Sequence, residues 1–190
     1  RTMSKNILML DEKDWGDVQI KWMLQDGKPI EFKIEETILD VVLEKPVRSG
    51  ESTTLEMEFY VQTPAMIRRS GKNSEDGVAF SMSQWYPKLC QYDEEGWHAN
   101  PYIGREFYGI WGDFDVTINI DKNYTVAGSG YVQNPELIGH GYAPLKDGVK
   151  HDDKISWRFI APNVHDFSWA ADPVFAHDYI DVEDGPRVHF

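Results

Sequence analysis

Apolar and polar residues alternate along five segments of the chain, and this alternation is its strongest structural signal. The segments are "DVQIKWML", "PIEFKI", "TTLEMEFYVQ", "FDVTINI" and "ISWRF". Successive side chains of a β-strand point to opposite faces of the sheet, so each segment predicts a strand with one apolar face. Strands with a single covered face are typical of antiparallel sheets.

Two local details refine this prediction. Strict alternation places four apolar residues of "DVQIKWML" on one face: Val18, Ile20, Trp22 and Leu24. Asp26-Gly27 then favours the positive φ angles of a two-residue hairpin turn. The segment "EETILDVVLEK" could form a helix or a strand, and its β-branched residues favour a strand.

The predicted fold class is therefore all-β, an antiparallel β-sandwich or a related arrangement of sheets. No segment of ten or more residues has a clear helical period. The 190 residues suit one domain, residues 1–190, because a chain of this length can bury a substantial core. Residues 134–153, "NPELIGHGYAPLKDGVKHDD", are rich in Gly and Pro and predict a long surface excursion between two strands.

Charge and composition exclude several function classes. The chain has 19 Lys and Arg against 32 Asp and Glu, a net charge of −13, which disfavours nucleic acid and anionic lipid as partners. No apolar run reaches the ~18 residues of a membrane helix, so we expect no membrane insertion. Cys90 is the only cysteine, which excludes an internal disulfide or a cysteine-rich zinc site.

Metal chemistry has little support in the motifs. The chain contains no HExxH, the spacing that places two imidazoles and a general base on one face of a helix, so we expect no zinc site here. His151 and Asp153 have the H-x-D spacing of an iron-binding facial triad, which would need His177 or His189 as its third ligand. Solvated loop charges explain the triplet better.

The segment "GWHANPYIGREFYGIWGDF", residues 96–114, has six aromatic residues among four glycines and follows neither period. Such rings could pack in the core of the domain or lie exposed on its surface. Exposed rings could stack on sugars, so a free-standing carbohydrate-binding β-sandwich is the alternative function.

Several blocks in a fixed order resemble a known family. They are "FSMSQWYPKLCQYDEEGWHANPYIGREFYGIWGDFDVTINI", "YTVAGSGYVQNPE" and "WRFIAPNVHDFSWAADPVF", which together span residues 80–175. The chain resembles the amino-terminal domain of the aminopeptidase N-type zinc metallopeptidases, in the variant of the larger bacterial members.

The resemblance implies a saddle-like domain of antiparallel sheets that packs on a separate catalytic domain of the same polypeptide. The zinc, its HExxH ligands and the catalytic glutamate would lie in that domain, so the present chain would hold no cofactor and no catalytic residue. The chain begins without Met and ends on an apolar residue, so we expect a fragment of a longer peptide hydrolase, whose catalytic domain follows residue 190. The location of this parent enzyme stays open, with a periplasmic or exported enzyme as one alternative.

The same resemblance identifies candidate site residues. Gln84, just before "WYP", is the candidate for contact with the free amine of a peptide substrate. Four aromatic residues of the irregular segment are candidates for contact with the catalytic domain: Trp97, Tyr102, Tyr108 and Trp111.

Overall fold

The structure is a computed structural model that describes residues 9–66, 69–100 and 109–190. Backbone contacts divide these residues into two compact units. Unit 1 comprises residues 9–10, 65–66, 69–84 and 111–190, and unit 2 comprises residues 11–64, 85–100 and 109–110. A single domain over residues 1–190 stays a prediction.

The described residues form sixteen strands and confirm the all-β prediction. The strands are β1 (Asp17–Gln25), β2 (Lys28–Pro29), β3 (Glu31–Glu35), β4 (Ile38–Val42), β5 (Leu55–Gln62), β6 (Gly71–Lys72), β7 (Phe80–Met82), β8 (Tyr92–Asp93), β9 (Gly96–Trp97), β10 (Gly112–Asp121), β11 (Thr125–Gly128), β12 (Tyr131–Val132), β13 (Lys154–Val164), β14 (Trp169–Asp172), β15 (Tyr179–Asp181) and β16 (Arg187–His189). Helical structure is limited to one 3-10 turn, Glu12–Asp14, and one short helix, α1 (Pro135–Ile138), in the part of the chain that the structure describes. Neither is long and apolar enough to cross a membrane.

Unit 1 contains two larger sheets, ordered β10-β13-β12 and β11-β14-β7-β6. Strands β10 and β13 pair with Ile118 opposite Trp157 and both side chains buried, and their register shifts between Gly112 and Phe114. The sheets face each other across Phe159 and Phe167, because a Cβ on Gly128 of β11 would lie 3.3 Å from each of these rings. The predicted apolar faces therefore form the core of this unit.

Buried apolar side chains concentrate in unit 1. Among the described residues they are Met82, Ile118, Val126, Ile138, Ile155, Trp157, Phe159, Ala161, Phe167 and Ala171. In the described part of unit 2 the only buried residues are Met23 and Gln25. Unit 2 thus has almost no core of its own.

The segment 134–153 does not run over the surface throughout, which corrects the sequence-based expectation. It begins with α1, whose Ile138 is buried in unit 1. Tyr142 packs edge-on against Trp157 and donates its hydroxyl hydrogen to the Val126 carbonyl, 3.1 Å away. Glycine and proline content alone does not distinguish an exposed loop from an irregular segment that fills a core.

Unit 2 contains a sheet ordered β2-β1-β5 and two hairpins, β3-β4 and β8-β9. The predicted turn joins β1 to β2, with φ angles of 49° at Asp26 and 79° at Gly27. The ambiguous segment forms strand β4, which confirms the choice of strand over helix.

A bulge in β1 overturns one predicted face. Ile20 pairs with Phe59, but Trp22 pairs with the next residue of β5, Glu58, so Lys21 is an extra residue on β1. Because such an insertion reverses the alternation beyond it, Trp22 lies on the opposite face from Ile20. Its indole N–H donates to the Glu58 carboxylate at 2.8 Å, and the side chain is 43% exposed. The prediction of one face for Val18, Ile20, Trp22 and Leu24 was wrong.

Candidate functional site

Unit 1 has a shallow depression of about 390 Å³ on the sheet formed by β7, β11 and β14. Small side chains line most of it: Ser81, Ser83, Ala127, Ser129, Ser168 and Ala170. The strand register explains the depression, because Ala127 pairs with Ala170 and Ala170 pairs with Ser81, which makes a row of small side chains across three strands. A row of larger residues would fill this space.

Three hydroxyl groups of this depression are hydrogen-bonded to the backbone. Ser129 Oγ donates to the Ser168 carbonyl at 3.2 Å and accepts the Ser168 N–H at 3.1 Å. Ser81 and Ser83 both donate to the carbonyl of Arg69. Each of these three hydroxyls donates to a backbone carbonyl, so none of them is hydrogen-bonded to a base that would activate it as a nucleophile.

Gln84 directly follows Ser83 of this lining. It is exposed and has a φ of 56°, a backbone conformation that costs a non-glycine residue free energy and that clusters at functional sites. Its carboxamide offers both a carbonyl acceptor and N–H donors. A substrate contact at Gln84 stays a prediction.

Trp97 lies in the small β8-β9 hairpin of unit 2. Its side chain is 60% exposed, and its ring centroid lies 4.9 Å from that of Tyr92, the cross-strand partner. Beside them, His98 Nε2 lies 2.7 Å from the Asp93 carboxylate. The N–H of Glu95 is the main cause that lowers the pKa of Asp93, and the hydrogen bond with His98 adds to it.

Trp111 belongs to unit 1, just before β10. It is 65% exposed, and its ring lies 5.7 Å from that of His165. Tyr102 and Tyr108 lie outside the described residues. A common interface made by Trp97, Tyr102, Tyr108 and Trp111 therefore stays a prediction, supported by the exposure of the two described members.

The structure does not bring the proposed iron ligands together. Within the described ranges, no group of three His, Cys, Asp or Glu side chains could hold a metal ion. The ring of His151 donates to the Leu137 carbonyl at 2.6 Å, whereas His177 and His189 bond to each other. His151 and the His177–His189 pair therefore have separate hydrogen-bond partners.

Sequence reasoning missed a cluster of rings near the carboxyl end of the described chain. Tyr142, His177 and His189 form this cluster, with centroids of Tyr142 4.3 Å and 4.7 Å from the two imidazoles. Gly141 permits the close approach, since a Cβ there would lie 2.6 Å from His177 Nδ1. The "HGY" tripeptide was the available signal, but no local period connects it to residues more than thirty positions away.

Comparison with known proteins found no matching family model, no matching curated protein and no matching solved structure.

Proposed function

We propose that this chain is a non-catalytic amino-terminal β domain of a zinc aminopeptidase-like metallopeptidase. It would pack on the catalytic domain of the same polypeptide and help to form the cleft for a peptide substrate. The order of the sequence blocks across residues 80–175 supports the family, and the all-β fold is compatible with it.

The observation that carries the proposal is the uncovered apolar surface of unit 2. Val18 and Leu55 lie on the same face of the β1-β5 sheet as Met23 and are both exposed, and Trp22 and Tyr60 are exposed on the other face. A three-stranded sheet that buries so little apolar area gains little stability by itself, because burial supplies about 25 cal/mol per Å². A second domain in the same polypeptide would cover this surface without a translational entropy cost.

The contribution of the chain to the reaction would be to position the substrate. Zinc and a general-base glutamate would supply the attack of water on the peptide carbonyl, and both would belong to the catalytic domain. The Gln84 carbonyl oxygen would accept a hydrogen bond from the substrate's amino-terminal ammonium group, and the net negative charge would favour cationic substrate ends.

The coding sequence beyond residue 190 supplies the first test. The proposal requires an HExxH motif downstream in the same reading frame. A gene that ends at Phe190, or that continues into a domain without this motif, would refute the proposal.

The predicted aromatic interface is tested with the catalytic domain produced as a separate chain and titrated calorimetrically with this one. Trp97→Ala and Trp111→Ala should each weaken binding by about tenfold or more, since buried aromatic residues dominate interfaces. Tyr131→Ala is the matched control, because this ring is 58% exposed but lies outside the predicted interface. Equal effects of all three substitutions would argue against the interface.

In the assembled enzyme, Gln84→Ala should raise KM for peptides with a free amino terminus. Gln84→Asn separates the backbone strain from the substrate contact, because Asn tolerates a positive φ but carries its amide on a side chain that is one methylene shorter. If Gln84 contacts the amine, both variants should raise KM. Normal kinetics in both variants would remove Gln84 from the substrate site.

A carbohydrate-binding module is the second candidate, and the exposed Tyr92 and Trp97 rings favour it. Such rings could stack on a sugar. A glycan screen with the wild-type chain and Trp97→Ala distinguishes the candidates: polysaccharide binding that Trp97→Ala abolishes would support the module, and its absence would favour the peptidase domain.

A further inference from the structure

The β15-β16 hairpin contacts Tyr142 of unit 1 through one face. His189 of the hairpin stacks on Tyr142 with an interplanar angle of 26° and lies opposite Tyr179. On the other face, Ile180 and Val188 pair with each other and are both exposed. The contacts of His189 are therefore well placed to decide whether the hairpin stays in position.

Hydrogen bonds determine the tautomers of the two imidazoles. His177 Nδ1 lies 2.9 Å from the His140 carbonyl oxygen, which can only accept, so Nδ1 carries the hydrogen. In a neutral ring His177 Nε2 is then an acceptor, and His189 Nδ1, 2.8 Å away, is its donor. When both rings are neutral, the chain of donors runs in one direction, from His189 through His177 to the carbonyl.

This arrangement accepts one additional proton but not two. With one proton added, one imidazolium can still donate across the 2.8 Å gap to the other ring. With two added, N–H groups would face each other from two cations in direct contact, and the hydrogen bond would be lost. The doubly protonated pair is thus incompatible with the closed geometry.

The remaining charged and titratable groups around the pair do not remove this conflict. Arg187 opposes a positive charge on His189 and Asp181 favours it, but these two neighbours bond each other at 2.7 and 3.0 Å. Burial is the main cause that lowers the pKa of His189, and burial also lowers the pKa of His140, whose Nδ1 lies 3.0 Å from Thr125 Oγ1.

Two tyrosines also face the cluster. Burial raises the pKa of Tyr142 above its usual value near 10, so this side chain stays neutral in acid. Tyr179 lies beneath the guanidinium of Arg187, 4.0 Å from its ring centroid. Imidazole is the side chain whose ordinary pKa lies between pH 5 and 8.

We propose that the His177–His189 hydrogen bond is a proton-controlled latch, which holds the β15-β16 hairpin on Tyr142 at neutral pH and releases it when both imidazoles are protonated. A two-stranded hairpin without packing is marginally stable in water, so release would also open its backbone hydrogen bonds. Release would uncover Tyr142 and the ring face of the hairpin.

Hydrogen exchange with mass spectrometry tests the latch in the whole 190-residue chain. Protection factors for residues 178–190, corrected for intrinsic exchange at each pH, are compared between pH 7.5 and 5 with those of β13. At pH values where the released hairpin holds one proton more than the closed hairpin, hairpin protection should fall about tenfold per pH unit. The protection of β13 should stay unchanged. Hairpin protection that stays constant across this range would overturn the latch.

His189→Asn supplies the decisive variant, because its amide does not titrate. The amide nitrogen can donate to a neutral His177 from the position of Nδ1, and after a flip the amide oxygen can accept from a protonated His177. The hairpin of this variant should keep its protection in acid. His98→Asn is the matched control in unit 2 and should behave like wild type. Equal acid sensitivity in wild type and His189→Asn would refute the proposal.

If the His189→Asn substitution itself detaches the hairpin at neutral pH, an NMR titration of the imidazole nitrogens in the wild-type chain tests the proposal instead. Coupled rings should take up protons in two steps that are separated by more than about one pH unit. Independent titration of His177 and His189 would overturn the latch.

Discussion

Replacement of Gly130 by alanine is a sharp test of the packing in unit 1. Gly130 has a φ of 78°, and a Cβ built on it would lie 2.2 Å from the Ile160 carbonyl oxygen and 2.6 Å from the Ala161 side chain. Real Cβ atoms do not approach within 3.0 Å of such atoms. The backbone cannot easily withdraw, because Tyr131, the next residue, pairs with Ile160 in the β12-β13 ladder.

Gly148 is the matched control in the same unit. Its φ of 82° is nearly identical, but a Cβ there would meet no atom within 4 Å. Both substitutions impose the left-handed conformation on an L-residue, which costs about 1–2 kcal/mol. Only Gly130→Ala adds overpacking, which typically costs about 1–3 kcal/mol, so we expect a total loss of about 2–5 kcal/mol against about 1–2 kcal/mol for Gly148→Ala.

Urea unfolding, followed by both tryptophan fluorescence and far-ultraviolet circular dichroism, measures the difference. The midpoint of Gly130→Ala should be clearly lower than that of Gly148→Ala at a similar m-value, and coincident transitions by the two probes validate the free energies. Equal destabilisation by the two substitutions would show that backbone strain alone matters and that the close approach of β12 to β13 is wrong.

Three further predictions concern buried polar groups and pH. Gln25→Leu should lower the free energy of unfolding by about 1–3 kcal/mol, because the buried Gln25 carboxamide bonds both the carbonyl and the N–H of Lys45. Substitution of the exposed Gln19 by Leu is the control. An equal effect of the two substitutions would contradict the burial of Gln25. Asp172→Asn should lower the free energy of unfolding in urea by about 1–3 kcal/mol. One carboxylate oxygen accepts the N–H of Ala79 and the other that of Val174, whereas an amide has a single acceptor oxygen. An unchanged midpoint would contradict these bonds. Stability should fall as the pH drops from about 6.5, because burial lowers the pKa of His140 and His189 in the folded chain while the unfolded chain binds protons at the ordinary value. The loss should level off below the folded pKa values, and urea midpoints from pH 8 to 5 that rise in acid would contradict this sign.

The sequence was sufficient for the apolar faces of β10 and β13. In β10 the apolar residues keep a strict period of two, and in β13 burial keeps this period from Ile155 to Ala161, with Ile118 and Trp157 facing inward. The Asp26-Gly27 turn was equally predictable, because its positive φ angles are a local property of these residue types. The candidate site was predictable only as a short list of exposed polar and aromatic residues.

Tertiary structure decided the features that depend on a distant partner. The bulge at Lys21 exists because β5 offers one residue fewer than β1 between two pairs, so the exposure of Trp22 cannot be read from β1 alone. In the sequence His177 and His189 are two isolated histidines, and only the folded chain brings both rings into contact with Tyr142. Alternation is determined by neighbouring residues of one strand, so the sequence shows it directly. Register and ring clusters depend on contacts between distant segments, which only the folded chain brings together.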